Sequence, residues 1–352
     1  MGRTRGSITI QDVALAAGVS VSTVSRVLNN KDDVALETYE RVRSVIDQLG
    51  YASSLAARGM RSRRTNVIGL IMPDVASPYA AEMMRGVNGA IAKIDYDLLI
   101  YTNGNVRKSA FAERDRRFVM LLNGGITDGV IVVTPAATHF PSRAPVVVID
   151  PNNETPEYPA IIATNREGAL EVMRYLIRLG HRRIGYITGR LDLISAIHRL
   201  QGYKEGLTEA GIPVEEALIQ VGDYTTEAAV ECARALLSLK EPPTAIFAAN
   251  DMSAMGVYRA ACEAGVSIPR DLSVVGFDNL YEAALMTPPL TTIDQSISEM
   301  GALAVDMLVR LVRGENLENH QRVIPTRLIL RQSCVPVQQS KTHARNTPIE
   351  SK

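Results

Sequence analysis

The apolar positions in the first fifty residues follow the period of an α-helix and predict three short helices. The first begins at Thr9, whose side chain can cap it together with Asp12, and ends at Gly18, which tolerates the positive φ of a sharp turn. The second covers 21–28, and the third follows a short connection and closes at Gly50. Their apolar stripes are expected to form one small core: Val13, Ala16, Ala17, Val19, Val24, Val27, Leu28, Tyr39, Val42, Val45, Ile46 and Leu49.

The second of these helices has an outward face of small residues and one arginine. Ser20 precedes the helix as a cap, and Val21, Ser22, Ser25 and Arg26 lie off its apolar stripe. Small side chains let a helix enter the major groove of DNA, and the guanidinium fork of arginine matches O6 and N7 of guanine. The pattern predicts a helix-turn-helix that reads base edges, although it also fits a plain amphipathic helical hairpin.

From Asn66 onward, continuous apolar runs alternate with helical patterns, which predicts buried parallel strands joined by helices. The first set of strands is VIGLIM, DLLIYT, GVIVV and APVVVID, and a second set, RRIGYITG, AIFAAN and LSVVGFD, begins after Ala163. The predicted helices of this region cover 80–94, 110–122, 167–179, 200–210 and 253–264. Two doubly wound α/β lobes follow, and neither has the GxGxxG or GxxxxGK[ST] motif that would bind a nucleotide.

Two segments together, ITIQDVALAAGVSVSTVSRVLNN and LGYASSLAARGM, resemble the opening of the lactose-repressor/galactose-repressor (LacI/GalR) family of bacterial transcription regulators. The resemblance continues to about Pro336. It implies an N-terminal all-α helix-turn-helix head and an α/β two-lobed doubly wound core like that of type I periplasmic sugar-binding proteins. The implied parts are a head at 8–52, a hinge at 53–65, an effector-binding and dimerisation core at 66–337 and a disordered tail at 338–352. The chain would cross between the lobes three times, with the N-lobe at about 66–162 and 293–320 and the C-lobe at about 163–290 and 321–337.

The hinge segment, YASSLAARGMRSRR, is small, polar and basic. Residues 54–58 can form one or two helical turns, and the resemblance implies that two copies pair in the minor groove with Met60 as the apolar wedge. The segment departs from the family at 53–54, where two serines replace a proline-asparagine pair, and at Gly59, which costs a helix about 1 kcal/mol. The implied DNA-contacting residues are Thr9, Ser20, Val21, Ser22, Thr23, Ser25, Arg26, Asn29, Ala57 and Met60.

Polar residues stand at the carboxyl ends of the predicted strands, the edge at which open α/β sheets bind ligands. Asp74 follows VIGLIMP, Asp150 ends VVVID, Asn250 ends AIFAAN and Asp278 ends VVGFD. Carboxylates, amides and an arginine form paired hydrogen bonds with vicinal hydroxyls, and tyrosine rings stack on the CH face of a sugar. The resemblance implies an effector, expected to be a sugar, bound by Asp74, Tyr79, Asp150, Ser195, Arg199, Tyr224, Asn250, Asp278 and Gln295.

Each of these side chains also has a purely structural interpretation. An aspartate or asparagine just past a strand often caps the next helix, and Asp251 is expected to do so. Arg199 could instead be an ion-pair partner, but its place between Ile197 and Leu200 favours the pocket. His181 lies between a helix and a strand with no nucleophile near it in sequence, so a local capping role is expected.

The net charge of zero is unevenly distributed along the chain. Residues 1–64 hold 10 Lys/Arg against 6 Asp/Glu, a net charge of +4 that leaves −4 for the remainder. A basic head fits phosphate contacts from an arginine cluster that flanks the helices: Arg3, Arg5, Arg58, Arg61, Arg63 and Arg64. A solvated charged surface remains the alternative for any one of these arginines.

Composition narrows the compartment and the chemistry. No apolar run approaches the length of a membrane span and no signal core follows Met1, so a cytoplasmic protein is expected. Cys232, Cys262 and Cys334 lack ligand spacing and are expected to be reduced thiols. Neither a metal nor a cofactor is expected.

Together these patterns predict a sequence-specific transcriptional regulator, a repressor that binds a palindromic operator as a homodimer under the control of a small-molecule effector. A solute-binding receptor would fit the lobes alone, but not the first 64 residues or the missing signal peptide. A sugar-metabolising enzyme on the same architecture is a second alternative. The chain has five histidines and shows no Ser-His-Asp order, paired carboxylates or metal triad, so it is predicted not to be an enzyme. Thr164 stands where the family commonly has aspartate, and the effector's identity is not predicted.

Overall fold

The computed structural model describes residues 8–28, 31, 33–51, 64–102 and 111–337 of the chain. The chain divides into two compact units, which cover residues 1–65 and residues 66–352. The predicted tail at 338–352 and the predicted hinge turns at 54–58 lie outside the described residues.

The first unit contains three helices, α1 (Ile10–Ala17), α2 (Val21–Leu28) and α3 (Leu36–Leu49). Thr9 and Asp12 form a capping box at the start of α1, and Gly18 ends it with φ at 66°. The turn is sharp because glycine accepts this left-handed conformation without a Cβ clash. Most of the predicted core is present, with these fully buried side chains: Val13, Val24, Val27 and Val42. The prediction for Ala16 is wrong, because Ala16 is exposed and Ala14 is buried instead.

The second unit begins with an N-lobe built on a parallel sheet in the order β11-β5-β4-β3-β1-β2. The strands are β1 (Val67–Met72), β2 (Asp97–Thr102), β3 (Gly129–Val133), β4 (Val146–Ile149), β5 (Ala160–Ala163) and β11 (Gln321–Ile324). Its helices are α4 (Pro78–Ile91), α5 (Phe111–Leu122) and α11 (Ile297–Val312). Helices α4 and α11 cover one face and α5 the other, so strand β1, which lies between β3 and β2, is buried over its whole length.

The C-lobe has a four-stranded parallel sheet in the order β7-β6-β8-β9. The strands are β6 (Ile184–Ile187), β7 (Ile219–Gln220), β8 (Ala245–Ala248) and β9 (Ser273–Val275). The helices are α6 (Asn165–Arg178), α7 (Ile194–Glu209), α8 (Thr226–Leu237), α9 (Asp251–Glu263) and the short α10 (Tyr281–Leu285). One core lies under α6 and α7 and another under α8 and α9. The predicted two-lobed α/β architecture is confirmed.

Three segments of chain pass between the lobes. The first follows β5 at Thr164, the second contains β10 (Thr292–Asp294), and the third leads from β11 into β12 (Arg327–Ile329), which pairs antiparallel with β10. Thr164 and Thr326 bind the first and third segments together, since the Thr326 amide donates to Thr164 Oγ1 at 2.8 Å.

The structure corrects two predicted limits. Residues 321–324 were assigned to the C-lobe, but they form β11 and pair with β5 of the N-lobe sheet. The third crossing therefore comes after Ile324, because the strand that completes the N-lobe sheet lies beyond α11. Helix α7 begins at Ile194 rather than at the predicted Leu200, and its preceding residue, Leu193, provides no side-chain cap that the sequence could have revealed.

Candidate functional site

Helix α2 presents polar side chains on its outer face. Ser22 and Arg26 are exposed, Val21 is 39% exposed and Ser25 is half-buried, while the opposite stripe is in the core. Ser20 caps the helix, because its Oγ accepts a hydrogen bond from the Thr23 amide at 3.1 Å. The outer face therefore carries short side chains and one long, positively charged side chain, Arg26, near the end of the helix.

The guanidinium of Arg26 is held by Asp33, which lies in the connection between α2 and α3. Its Nε donates to Asp33 Oδ1 at 3.1 Å, and its second nitrogen forms an ion pair with Asp33 Oδ2. Hydrogen bonding by Arg26 lowers the pKa of Asp33, so the pair is charged at neutral pH. Both side chains are more than half exposed and remain accessible to a larger partner.

Some of the remaining residues predicted to contact DNA lie among the described residues and others do not. Thr9 lies at the exposed start of α1, where its hydroxyl donates to Asp12 Oδ2 at 2.7 Å. Thr23 is half-buried beside Ser20, at 2.9 Å between the hydroxyl oxygens. Arg64 is exposed. The others lie outside the described residues: Arg3, Arg5, Asn29, Ala57, Arg58, Met60, Arg61 and Arg63.

A cavity of about 260 Å³ lies in the second unit, where the carboxyl ends of strands from both lobes face each other. All nine residues singled out from the sequence line it: Asp74, Tyr79, Asp150, Ser195, Arg199, Tyr224, Asn250, Asp278 and Gln295. Apolar side chains complete the wall: Met72, Val133, Leu193 and Met252. Its size is near the lower end of small-molecule pockets, which run from roughly 300 Å³ upward.

The N-lobe side of the cavity supplies two aspartates and a tyrosine. Asp74 accepts a hydrogen bond from the Ala76 amide at 2.9 Å, in the turn that leads to α4. Asp150, at the end of β4, is only 9% exposed. Burial raises the pKa of Asp150, while the charge of Arg199 opposes that rise. Burial also raises the pKa of Tyr79, so its hydroxyl stays protonated.

Arg199, on α7 of the C-lobe, is the central cation of the cavity and is 3% exposed. Its Nε donates to Asn165 Oδ1 at 2.8 Å and its Nη1 to the Ala249 carbonyl oxygen at 2.6 Å. The guanidinium carbon lies 3.7 Å from the ring centroid of Phe277, which is a close cation–π contact. Its Nη2 lies 3.5 Å from Gln295 Oε1, so these contacts fix the guanidinium at the wall of the cavity.

Asp278 and Gln295 form the opposite edge of this cluster. Gln295 Nε2 donates to Asp278 Oδ1 at 2.6 Å, and that oxygen lies 3.7 Å from Arg199 Nη1. Burial raises the pKa of Asp278 to about 7, against the opposing effects of Arg199 and Gln295. Gln295 belongs to the second crossing segment, so the cavity wall includes the connection between the lobes.

Tyr224 contributes an aromatic ring and a buried hydroxyl group to the site. Its centroid is 5.9 Å from the Arg199 guanidinium carbon, and the ring fills the space above Gly189, where a Cβ would come within 2.0 Å of the ring. The hydroxyl is buried next to Ser195, yet no described residue gives it a well-formed hydrogen bond.

Asn250 lines the cavity as predicted, but it also provides the helix cap that was expected from Asp251. Asn250 caps α9, since its Oδ1 accepts from the Ser253 amide at 2.9 Å, and it also lines the cavity. Asp251, predicted to be the cap, turns away and accepts from the Leu280 amide at 2.8 Å and from Thr292 Oγ1 at 2.5 Å. Its backbone position one residue inside the helix leaves the capping geometry to Asn250.

Backbone strain is concentrated around the cavity. Among the described residues other than glycine, positive φ angles occur at seven positions, and four of these line the cavity: Thr134 at 45°, Asp150 at 54°, Tyr224 at 75° and Asp278 at 122°. Such conformations persist only where the surroundings enforce them, and they are common at binding sites.

Two side chains from the loop after β4 reach across to α7. Asn152 Oδ1 accepts from the Ile194 amide at 2.9 Å, and its Nδ2 donates to the Asp192 carbonyl oxygen at 3.0 Å. One turn along the helix, Glu154 Oε1 lies 2.8 Å from His198 Nε2. The two lobes are therefore bridged beside the cavity.

His181 has a structural role, but its side chain does more than cap a helix. Its backbone amide donates to the Leu176 carbonyl oxygen at 3.1 Å and closes the end of α6. The ring nitrogens lie 2.9 Å from Thr244 Oγ1 and 3.1 Å from Ser273 Oγ, at the starts of β8 and β9. Burial lowers the pKa of His181, so the neutral ring links the helix end to the sheet.

Sequence reasoning missed several residues of the site. Asn165 lies two residues after the strand AIIA, so the carboxyl-end rule that selected Asp150 could also have selected it. Thr134 directly follows GVIVV and could have been found in the same way. Arg190 and Asn152 lie in loops, where no period or motif marks them.

The described parts of the chain contain no cluster of three or more His, Cys, Asp or Glu side chains that could hold a metal ion. Over the same residues, no helix is long and apolar enough to cross a membrane.

Comparisons with known proteins match both units. Residues 9–54 match the family described as bacterial regulatory proteins, lacI family, and residues 173–334 match a periplasmic binding protein-like domain. The catabolite control protein A of Priestia megaterium is 32% identical over 93% of this chain and 99% of that protein. The lac repressor dimer bound to operator and an anti-inducer has a TM-score of 0.78 and 26% identity, covering 94% of this chain and 100% of that chain. A complex of the transcriptional regulator CelR with cellobiose has a TM-score of 0.67 and 30% identity, covering 93% and 99%.

Proposed function

Because this chain belongs to the lacI family of bacterial regulatory proteins, and is therefore a DNA-binding transcriptional regulator, we propose that it is a repressor whose cavity binds a sugar-sized effector. The observation that carries the ligand-binding part is that nine side chains, spread from residue 74 to residue 295, line one cavity between the lobes. Its relatives are regulators, and the proposal assigns no catalytic step to the cavity.

In this proposal α2 enters the major groove of the operator. Val21, Ser22 and Arg26 are accessible on its outer face, and Arg26 has the geometry to bind a guanine through two hydrogen bonds. Thr9, Ser20, Thr23 and Ser25 support the helix or contact phosphates, and Asn29, Ala57 and Met60 extend the interface. A homodimer then reads two half-sites about one helical turn apart. The protein acts in the cytoplasm, where the DNA is.

The effector is held through its hydroxyl groups. Arg199, Asp278 and Asp150 offer charged partners, Asn250 and Gln295 offer amides, and Tyr79 with Tyr224 supplies aromatic faces for CH groups: all of these line the cavity. A relative has been solved with cellobiose and another with ribose, which supports a sugar as the ligand class.

Control of DNA binding follows from the placement of the ligand between two lobes. A ligand that contacts both lobes binds one lobe orientation more tightly than another, and it shifts the population by that difference in binding free energy. The lobe orientation sets the separation of the two hinge segments in the dimer, and this separation decides whether both heads reach their half-sites.

Titration of fluorescent DNA tests the first half of the proposal. The DNA upstream of the protein's own gene is titrated by anisotropy beside a scrambled duplex of equal length, at two salt concentrations. We expect at least roughly a thousandfold preference for the upstream DNA, the lower end of the usual range for specific binders. Equal affinity for both duplexes contradicts a sequence-specific regulator.

A thermal-shift screen tests the second half. Purified protein is heated with a library of pentoses, hexoses and disaccharides, and each compound that raises Tm is added to the anisotropy titration. At least one compound should raise Tm and change the affinity for the upstream DNA. If a compound raises Tm without changing the affinity for DNA, the protein binds that compound, but the compound is not an effector.

A further inference from the structure

The cavity described above has an excess of acid. Four aspartates line it, at positions 74, 150, 223 and 278, against two arginines, Arg190 and Arg199. Asp150 and Asp278 are almost completely buried, so their mutual repulsion and that of any added anion are weakly screened. Burial raises the pKa of both carboxyls, because these side chains are poorly hydrated.

Neither arginine is free to take an anion. Arg190 donates to Asp192 through Nε at 3.1 Å and through Nη2 at 2.5 Å, and its guanidinium stacks over Phe111 at 4.7 Å. Arg199 donates to Asn165 and to the Ala249 carbonyl oxygen, and its charge is shared by Asp150 and Asp278. Its Nη2 is 3.5 Å from Gln295 Oε1, so every nitrogen of this guanidinium already has an acceptor on the chain.

The helix N-termini at the cavity are also occupied. A helix N-terminus binds anions through its free amides, and four helices begin at or beside this wall. In each of these helices, one of those amides already donates a hydrogen bond to a side-chain oxygen. The pairs are Ser77 with Ala80 on α4, Asn152 with Ile194 on α7, Thr225 with Ala228 on α8 and Asn250 with Ser253 on α9.

The cavity volume limits the size of the ligand. About 260 Å³ is near the lower end of small-molecule pockets, which favours a small ligand such as a single sugar ring.

Building on the proposed function, we propose that the effector is an uncharged or amine-bearing polyol of about one ring, and that this cavity rejects phosphorylated and carboxylated sugars. The selection is made by the excess of carboxylates over arginines at the wall, by the contacts that both guanidinium groups make with the chain, and by the side-chain oxygens that cap the nearby helix N-termini. Hydroxyl and ammonium groups donate to carboxylates, whereas phosphate and carboxylate groups only accept.

Matched sugar sets test this selection. Glucose, galactose, mannose and ribose are each titrated by thermal shift beside their phosphate, and the hexoses also beside their 2-amino and uronic acid forms. For any ring that binds, the acidic forms should bind roughly a hundredfold more weakly than the neutral parent, because like charges in a closed site cost several kcal/mol. Asp278→Asn should narrow that gap, and Asp95→Asn, at an exposed site outside the cavity, should leave it unchanged.

The outcomes separate the two proposals. An acidic sugar that binds as tightly as its neutral parent overturns the charge selection and leaves the effector site in place. If no member of any set, nor of the wider library, raises Tm, the effector site itself fails and the charge selection falls with it.

A second observation, independent of charge, concerns the start of α7. Leu193, which precedes the helix, has no side-chain oxygen, and the Ile194 amide is capped by Asn152 from the other lobe at 2.9 Å. The same asparagine also donates to the Asp192 carbonyl oxygen. Helix α7 bears Ser195 and Arg199, so the helix that presents the cation of the cavity is completed only when the lobes are together.

We infer that Asn152 is a positioning residue that couples lobe closure to the order of the first turn of α7. When the lobes separate, the helix loses its only side-chain cap among the described residues and its first turn frays. Ligand binding and lobe closure thus strengthen each other through this cap.

Asn153 offers a matched control, since its Nδ2 donates to the Thr155 carbonyl oxygen within the same loop. In ligand-free protein, Asn152→Ala should make the amides of 194–197 exchange with solvent roughly fivefold faster, with global Tm almost unchanged. Asn153→Ala should not, and Asn152→Asp, which keeps a capping oxygen, should restore slow exchange. Equal exchange rates in Asn152→Ala and Asn153→Ala overturn the coupling role.

Discussion

The outer face of α2 and the wall of the cavity hold their polar side chains in opposite ways. On α2, Ser22 is exposed and Arg26 has a single carboxylate partner on the surface. In the cavity, Arg199 is 3% exposed and makes hydrogen bonds to a side chain and to a backbone carbonyl. The outer face of α2 is therefore solvated and open to a large partner, whereas the polar side chains of the cavity are held in place by contacts with the chain.

The difference follows from the cost of burial. An exposed serine or arginine exchanges its water for DNA at little prior cost, so α2 needs only a rigid scaffold beneath it. A buried polar group without a partner costs about 1–3 kcal/mol, so the cavity must satisfy most of its own groups. Substitutions on α2 should therefore change binding alone, and substitutions in the cavity should change both binding and stability.

The largest effect is expected for Arg199→Ala. It leaves Asp150 and Asp278 without their cation, and breaking a buried charged cluster in this way costs about 3 kcal/mol or more of unfolding free energy. The loss is measured by urea unfolding, followed through a signal from the unit at 66–352. Arg199→Lys keeps the charge but loses the planar contacts with Asn165 and Phe277, so its unfolding free energy should lie between those of Arg199→Ala and the parent protein. A loss below about 1 kcal/mol would show that the cluster is not a coupled unit.

The second effect in size is expected on α2. Arg26→Ala should weaken binding to the upstream DNA by about 1–3 kcal/mol while binding to scrambled DNA changes little, because the lost contact is to a base edge. Tm should stay the same, since Arg26 is exposed. Arg41→Ala, which removes an exposed arginine from α3, is the matched control. Equal losses on both duplexes would place Arg26 on phosphates instead.

A smaller effect comes from the raised pKa of Asp278. Its pKa is about 7 in the folded protein against 3.8 for the ordinary side chain, so between these values the folded state keeps a proton that the unfolded chain has released. Stability therefore falls as pH rises through this window and is not changed further by this group above it. Asp278→Asn should show a shallower fall of Tm between about pH 5 and pH 7.5 than the parent protein. Parallel curves for the two proteins would contradict the raised pKa.

The two sites could be predicted from the sequence to different extents. Helix α2 follows a local pattern, so its limits, its cap at Ser20 and its outer face were predicted and are present. The nine cavity residues were found because strand ends are visible in the sequence and because the resemblance carried over their positions. Their partners were not found: Asn152 reaches α7 from the other lobe, and Asp251 binds Thr292 across 41 positions. Such contacts depend on tertiary packing, for which no local period exists.

The smallest effect should come from Asp33, the partner of Arg26. An exposed ion pair contributes at most about 1 kcal/mol, so Asp33→Asn should leave Tm nearly unchanged. Binding to the upstream DNA should strengthen by up to about fivefold, because Arg26 is released from a competing carboxylate and a negative charge next to the phosphates is removed. Anisotropy titration at two salt concentrations measures this, with Asp47→Asn on the far end of α3 as the control. Weaker binding by Asp33→Asn would show instead that the carboxylate holds Arg26 in its reading position, which would make the α2 surface as preassembled as the cavity.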